Sequence, residues 1–421
     1  MKRRAFTAGL FLIVFCVALV AAMAARGRLK QSQTPPLADY TVSGPYTHKN
    51  LTIFLLHGAA PSQSRAPLTL QEAMKRKLVV VRETGDVNRL TIQNRSNQDV
   101  FVQAGDIVKG GQQDRVLALD LIVPPKSGRI PIDAFCVEQG RWSRRGNEAV
   151  AAFSASDNTL ASKDLKIAAK ARRSQSDVWA NVSKTQEKLA MKMTITTVIS
   201  PPPAAPPPAP EWARRSAEST SGGGPGTGVA PQAQFSPPTN QARIPINQAG
   251  GEIRTLDGAA ANGRHSYDPL ALVADRASPS SLQLTLENKM VKDTANDYVK
   301  KLSSIINGKR DVIGFVFAIN GQINSADVYS SNTLFAKLWP KMLEASAIEA
   351  IAELKAEEKF ELVDAGEVNA FLRESQSGKA ETKKVTARTS VVKHDTEKNL
   401  FFETRDRNRS KKWVHRNYLA K

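Results

Sequence analysis

The residues best equipped for chemistry lie between Gly105 and Trp142, in the run GDIVKGGQQDRVLALDLIVPPKSGRIPIDAFCVEQGRW. Asp106, Lys109, Gln112, Gln113, Asp114 and Arg115 fall on one glycine-rich turn, and Glu138, Arg141 and Trp142 follow one strand pair later. Arginines mixed with carboxylates and carboxamides can hold a sugar or a phosphate through directed hydrogen bonds. An indole beside them can stack on a base or sugar ring. These nine residues are the candidate ligand-binding set, and Asp114 and Glu138 are the candidates for any acid–base step. A second reading uses the same residues differently: a closed polar network pins two loops to a sheet, with Arg115 and Arg141 paired to Asp106, Asp114 or Glu138.

Several chemistries are argued against. Gly105 and Gly110 have phosphate-loop spacing, but Lys-Ser/Thr does not follow the second glycine, so the nucleotide-binding pattern fails. Cys136 would need a neighbouring base to act as a nucleophile. The histidines His48, His57, His265, His394 and His415 show no spacing that points to it, so a buried, inert thiol is expected. No two histidines have metal-ligand spacing, nothing resembles a calcium loop, and no nucleophile elbow appears. No metal is therefore expected, and no motif specifies a cofactor.

The chain has 421 residues, with 59 Lys+Arg against 40 Asp+Glu, a net charge of +19. Such a balance suits an anionic partner, or simply a basic secreted chain. At its start, Lys2, Arg3 and Arg4 precede an uncharged run from Ala5 to Ala25, with Ala22-Met23-Ala24 as a cleavage-type sequence. A cleaved signal and an uncleaved anchor both fit, since the run is about 20 residues, long enough to span a bilayer. The remainder is expected outside the cytoplasm: secreted, periplasmic or held by a single N-terminal helix. Cys16 lies in this leader, which leaves Cys136 as the one mature thiol and no internal disulfide.

The elements that must position the central residues follow from patterning. In residues 38–195, Leu51–Leu56 reads as a strand, and Thr69-Leu-Gln-Glu72 as a capping box opening a short helix. Leu78–Arg82, Arg89–Gln93, Val100–Gln103, Val116–Val123 and Arg129–Cys136 read as an antiparallel meander with short connections. Asp164–Met193 reads as one long helix, with Lys163, Lys166, Lys170, Arg172 and Arg173 on a solvated polar face. Residues 196–280, rich in Pro, Gly and Ser, contain a polyproline run, Ser200–Pro210, and are expected to be a disordered insertion. In residues 281–375, Leu282–Ile306 is helical, Asp311–Ile319 is an apolar strand, Asn320-Gly321 is a hairpin turn and Leu334–Leu354 is helical. Residues 376–421 form a basic extension with possible strands at Val385–Val392, Leu400–Thr404 and Trp413–Leu419. The lysines around Trp413 fit a basic edge strand better than a nucleic-acid patch, so no specific nucleic-acid binding is expected. The fold class is α+β: mainly antiparallel sheet with packed helices, interrupted by the insertion.

The central stretch resembles the ADP-ribosylglycohydrolase and rhodanese–phosphatase-superfamily-associated protein domain family. The resemblance is carried by Leu70–Ala73, Val87–Leu90, Asn94–Ser96, Gly105-Asp106, Gly110–Arg115, Val123-Pro124, Ile130-Pro131 and Cys136–Trp142. Arg173–Trp179, Gly314–Gly321 with Asp327, and Phe335–Trp339 extend it. It implies that the Pro/Gly-rich region interrupts one domain and does not join two. It transfers no catalytic residue, cofactor or substrate. The expected function is recognition of a small anionic or nucleotide-sugar-like ligand by an exported or membrane-tethered protein. An enzyme acting on ADP-ribose-like substrates and an envelope protein binding anionic polymer or lipid are the alternatives.

Overall fold

The computed structural model describes residues 40–58, 66–199, 269–273, 278–355, 359–408 and 412–421. The leader and most of the Pro/Gly-rich stretch lie outside these residues. Contacts divide the chain into two units: Met1–Thr196 with Pro269–Lys421, and Thr197–Asp268. The first is the one described below.

Its spine is an eight-stranded antiparallel sheet in the order β1-β2-β12-β13-β17-β16-β15-β14. Here β1 is Thr41–His48, β2 Leu51–His57, β12 Val312–Ile319 and β13 Gln322–Tyr329. The remaining four are β14 Lys379–Lys384, β15 Thr389–Asp395, β16 Asn399–Asp406 and β17 Lys412–Ala420. The sequence VIGFVFAI of β12 is buried along its whole length, as a strand covered on both faces must be. Its hairpin to β13 turns on Asn320 and Gly321, at φ 51° and 74°, the positive angles that a tight two-residue turn requires. Gly314 is there for closeness: a Cβ would stand 2.5 Å from the Asp327 carbonyl oxygen. Because β2 pairs with β12 from Leu51↔Ile319 to His57↔Val312, early and late parts of the chain share one sheet.

The strand carrying Trp413 is not an edge. β17 lies between β13 and β16, and its core face supplies His415, Asn417 and Leu419. The edge on that side is β14, KAETKK, exposed at every residue and lysine-rich, which blunts pairing with another chain.

A six-stranded antiparallel sheet runs β11-β7-β8-β10-β5-β4. Its members are β4 Val79–Glu83, β5 Arg89–Asn94, β7 Asp106–Gly110, β8 Arg115–Leu117, β10 Ile130–Cys136 and β11 Phe153–Leu160. A small third sheet joins β3 Leu68–Thr69, β6 Val100–Val102 and β9 Leu121–Val123, with β3 and β6 parallel. The expected meander is therefore corrected: Val100–Val102 leaves the β4–β5 pair for another sheet, and Val116–Val123 splits into β8 and β9. Ala118–Asp120 makes that crossing, and Asp120 on it is fully buried.

Helix α1, Leu70–Lys75, opens with the capping box read from sequence, Thr69 and Glu72 each bonding the other's backbone N–H. The long helix expected from Asp164 is broken. α2, Lys163–Lys166, passes into a wide π-turn at Ile167–Arg172, Arg173 takes φ 55°, and α3 runs from Gln175 to Ile199. α4, Leu282–Glu287, and α5, Lys289–Leu302, are separated at Asn288, which caps the second. α6, Asn332–Ala352, packs Phe335, Leu338 and Trp339 into the main core beside Phe315. α7, Ala365–Gln376, begins with a second capping box, Asp364 with Glu367, a signal legible in the sequence.

Candidate functional site

The expected residues divide between two polar clusters. The outer one gathers Asp114, just before β8, and Glu138, just after β10, both fully buried. Two arginines from the following loop neutralise them. Arg145 bonds Asp114 Oδ2 and Glu138 Oε1, both at 3.0 Å, and Asp114 Oδ1 at 3.1 Å. Arg141 reaches Glu138 Oε2 at 2.6 Å and the carbonyls of Gly110 and Gly111. Gly110 N–H donates to Asp114 Oδ1, Ser281 Oγ to Oδ2, Asp114 N–H to Glu138 Oε2 and Ser278 Oγ to Oε1. All four carboxylate oxygens are thereby engaged. Burial and the charge of Glu138 push Asp114 above the usual carboxylate range, against the pull of Arg145. Burial also opposes ionisation of Glu138, but Arg141, Ser278 and the Asp114 N–H outweigh it and hold it below the usual range.

Arg145 is the residue that sequence reasoning missed here. Its only signal is the run Arg141-Trp-Ser-Arg-Arg145, which ends three residues beyond Trp142. Ser281 and Ser278 close the cluster without a signal in the sequence, and Ser278, buried here, falls inside residues 196–280, which corrects the end of the expected disordered insertion.

The other expected residues are placed as follows. Gln113 Nε2 donates to the Glu138 carbonyl at 2.8 Å. Lys109 pairs with Glu287 at 2.6 Å. Asp106 pairs not with an arginine but with buried Lys341 of α6, and accepts the Gln103 N–H. Arg115, fully buried, bonds the Gln113 carbonyl and side chain through Nη1, and its nearest carboxylate is Glu83, at 3.6 Å. Among the described residues its Nε and Nη2 have no hydrogen-bond acceptor, nor has Gln112 Oε1 a donor. Trp142, 48 % exposed, lies over that guanidinium with 5.7 Å from ring centre to Cζ. Cys136 is buried, and burial pushes its thiol up to about 11, well short of a nucleophile.

The inner cluster was not anticipated. His415 of β17 sits between Asp120 and Asp327 of β13, with Nδ1 and Nε2 each 2.9 Å from a carboxylate oxygen. A neutral imidazole has one N–H, so two carboxylate contacts define the imidazolium. The two aspartates hold His415 above its ordinary value although burial opposes it. Asp120 also accepts from Ala104 N–H and Thr404 Oγ1, and stays far below the usual range through Lys170 and His415, again against burial. Lys170 Nζ is 3.8 Å from Asp120 and Lys166 Nζ 3.9 Å from Asp327. These two lysines were expected on a solvated face. They are instead buried, Lys166 at the end of α2 and Lys170 within the π-turn, while Arg172 and Arg173 remain exposed. Tyr329 stacks on His415 at 4.5 Å and Phe101 meets it edge-on.

Among the described residues, no group of three or more His, Cys, Asp or Glu side chains is arranged to hold a metal ion, and no helix is long and apolar enough to cross a membrane.

An α+β body with a sealed ionic centre and an arginine–carboxylate rim under an exposed indole is thus the class of molecule defined. A family model, the ARG and Rhodanese-Phosphatase-superfamily-associated Protein domain, matches residues 39–206 and 261–419. The chain belongs to that family. No curated protein and no solved structure matches it.

Proposed function

We propose that this protein recognises a small anionic, nucleotide-sugar-like ligand at the Arg115–Trp142 face and does not turn it over there. One observation supports this above others: Arg115 is a fully buried cation whose Nε and Nη2 have no hydrogen-bond acceptor among the described residues, Glu83 standing off at 3.6 Å, and the half-exposed Trp142 ring lies over it. A buried donor left unpaired costs about 1–3 kcal/mol, which an incoming oxyanion would recover. Gln112 Oε1 offers an acceptor for a hydroxyl, and the indole offers a face for a ring.

The engaged oxygens of Asp114 and Glu138 favour binding over catalysis. A general acid or base must reach the substrate proton, and each of these oxygens already has a protein partner. The Lys2–Arg4 start and the apolar Ala5–Ala25 run support an exported or membrane-tethered placement.

The test is a thermal-shift panel with ADP-ribose, NAD, nucleotides, sugars and divalent metals. A ligand at about 100 times its dissociation constant adds about 2.7 kcal/mol, enough to move Tm by several degrees. The expected shift disappears in Trp142→Ala, whose exposed side chain is not needed for folding, and in Arg115→Ala where that variant folds. A flat panel on the folded protein overturns the reading.

A further inference from the structure

A second histidine, outside both polar clusters, sits at one margin of the large sheet. His57 ends β2, and the adjoining β1 is the outermost strand on that side. His57 Nε2 is 2.7 Å from Ser43 Oγ of β1, and Nδ1 is 2.9 Å from Oδ2 of Asp311, the residue before β12. An ionised carboxylate can only accept, so Nδ1 carries the proton and Nε2 of a neutral ring is left to accept from the Ser43 hydroxyl. That bond to His57 holds Asp311 below the usual carboxylate range. Hydroxyl, Nε2, Nδ1 and carboxylate thus follow in the order that a base-activated serine requires. Backbone pairing holds them there. His57 pairs with Val312, Gly58 N–H donates to the Asp311 carbonyl at 3.0 Å, and the register of β1 shifts directly after Ser43. Such a bulge re-aims a side chain at the edge of a sheet. Separations of 14 and 254 residues hide the constellation from any reading of spacing. Tyr46 adds a donor: Lys309 Nζ donates to its Oη at 3.0 Å, and hydrogen bonding with Lys309 and then Ser43 holds the phenol below its ordinary value, beside the serine. Thr41, Gly44 and Pro45 around Ser43 are exposed, so the hydroxyl is approached from solvent.

We propose that Ser43, His57 and Asp311 form a second, hydrolytic site that cleaves short-chain acyl esters, with Ser43 as nucleophile, His57 as base, Asp311 as the positioning residue and Tyr46 as donor to the oxyanion. Ser43 Oγ bonds to the acyl carbon while its proton passes to His57 Nε2. The carbon–oxygen bond to the alcohol breaks, and the alcohol leaves with that proton. Water, deprotonated by the same nitrogen, then attacks the acyl-serine and releases the acid with the serine restored. The Tyr46 hydroxyl, polarised by Lys309, donates to the carbonyl oxygen as charge builds on it. An open strand edge offers few contacts to a long acyl chain, which is why short acyl groups are assigned.

The experiment gives the full-length protein p-nitrophenyl acetate, p-nitrophenyl octanoate and, separately, a fluorophosphonate from whose phosphorus Ser43 Oγ would displace fluoride. Acetate turnover should be saturable and faster than octanoate turnover. Peptide mapping should find the phosphonate on Ser43 of the native protein and not of the denatured one. Ser43→Ala should reduce turnover to background, and His57→Gln should lower it by about 100-fold or more. Asp311→Asn should cost only about fivefold, since an exposed ion pair is worth little. Tyr46→Phe should lower kcat with little change in KM. Undiminished turnover in Ser43→Ala, a native Ser43 peptide free of phosphonate, or octanoate cleaved as fast as acetate overturns the proposal. The labelling is read on the unsubstituted protein, so it decides the matter even where a variant does not fold.

Discussion

His415 and Asp120 stand 2.9 Å apart across a sequence separation of 295 residues, and neither reaches solvent. Their contact joins the last strand of the large sheet to the crossing between the two smaller ones. Because His415 is held above its unfolded value, its contribution to stability is full below about pH 6.5 and is lost as pH rises through the folded value. Asp120 is depressed, so its contribution is full above about pH 4 and is lost as pH falls through its folded value. Tm should therefore be highest between about pH 4 and 6.5 as far as this pair decides it, and decline on the alkaline side. His415→Gln should lower Tm and flatten the alkaline decline; an unchanged pH profile would contradict the charged assignment.

Arg145 is shared by two buried carboxylates, so its removal leaves Asp114 without its main counter-charge and Glu138 with Arg141 alone. Arg145→Ala should destabilise by about 3–5 kcal/mol in urea unfolding. Arg145→Lys should rescue little of this, since a single ammonium cannot reproduce the forked contacts.

The close passage of β12 against β13 at Gly314 sets a third expectation. A methyl group there meets the Asp327 carbonyl at 2.5 Å and the Val328 backbone at 2.8 Å. Gly314→Ala should cost about 1–3 kcal/mol, measured by chemical denaturation, because backbone must move on both strands.

Cys136 should resist alkylation in the native state near pH 8, since its thiol is buried and raised to about 11. Peptide mapping after iodoacetamide should show the Cys136 peptide unmodified until denaturant is added. Ready native labelling would mean that β10 opens far more easily than its packing implies.

Much of the architecture is legible in local pattern. The β12 run, the Asn320-Gly321 turn, the Thr69–Glu72 box and the apolar repeat of α6 each encode their element within a few residues. The outer cluster is partly legible for the same reason: Asp114, Glu138 and Arg141 sit in one dense polar stretch, and the pairing of Arg141 with Glu138 follows the network reading. Partner identity is not local. Glu83 takes Arg115 and Lys341 takes Asp106 from remote elements, and Arg145 with Ser278 completes the rim. The inner cluster is the extreme case, because Lys170 lies in a π-turn that departs from helical spacing, and no periodicity rule reports such a turn. Asp364–Glu367 is different in kind: its capping box is as local a signal as Thr69–Glu72.

The place of β17 inside the sheet has a consequence for the timing of synthesis. Residues 412–420 leave the ribosome after every other strand of that sheet, yet they must pass between β13 and β16. Until they emerge, the two halves of the sheet have no seam, and Asp120 and Asp327 face each other without the imidazolium that reconciles them. The nascent chain is thus held short of its final state, and assembly is a late event governed by long-range closure.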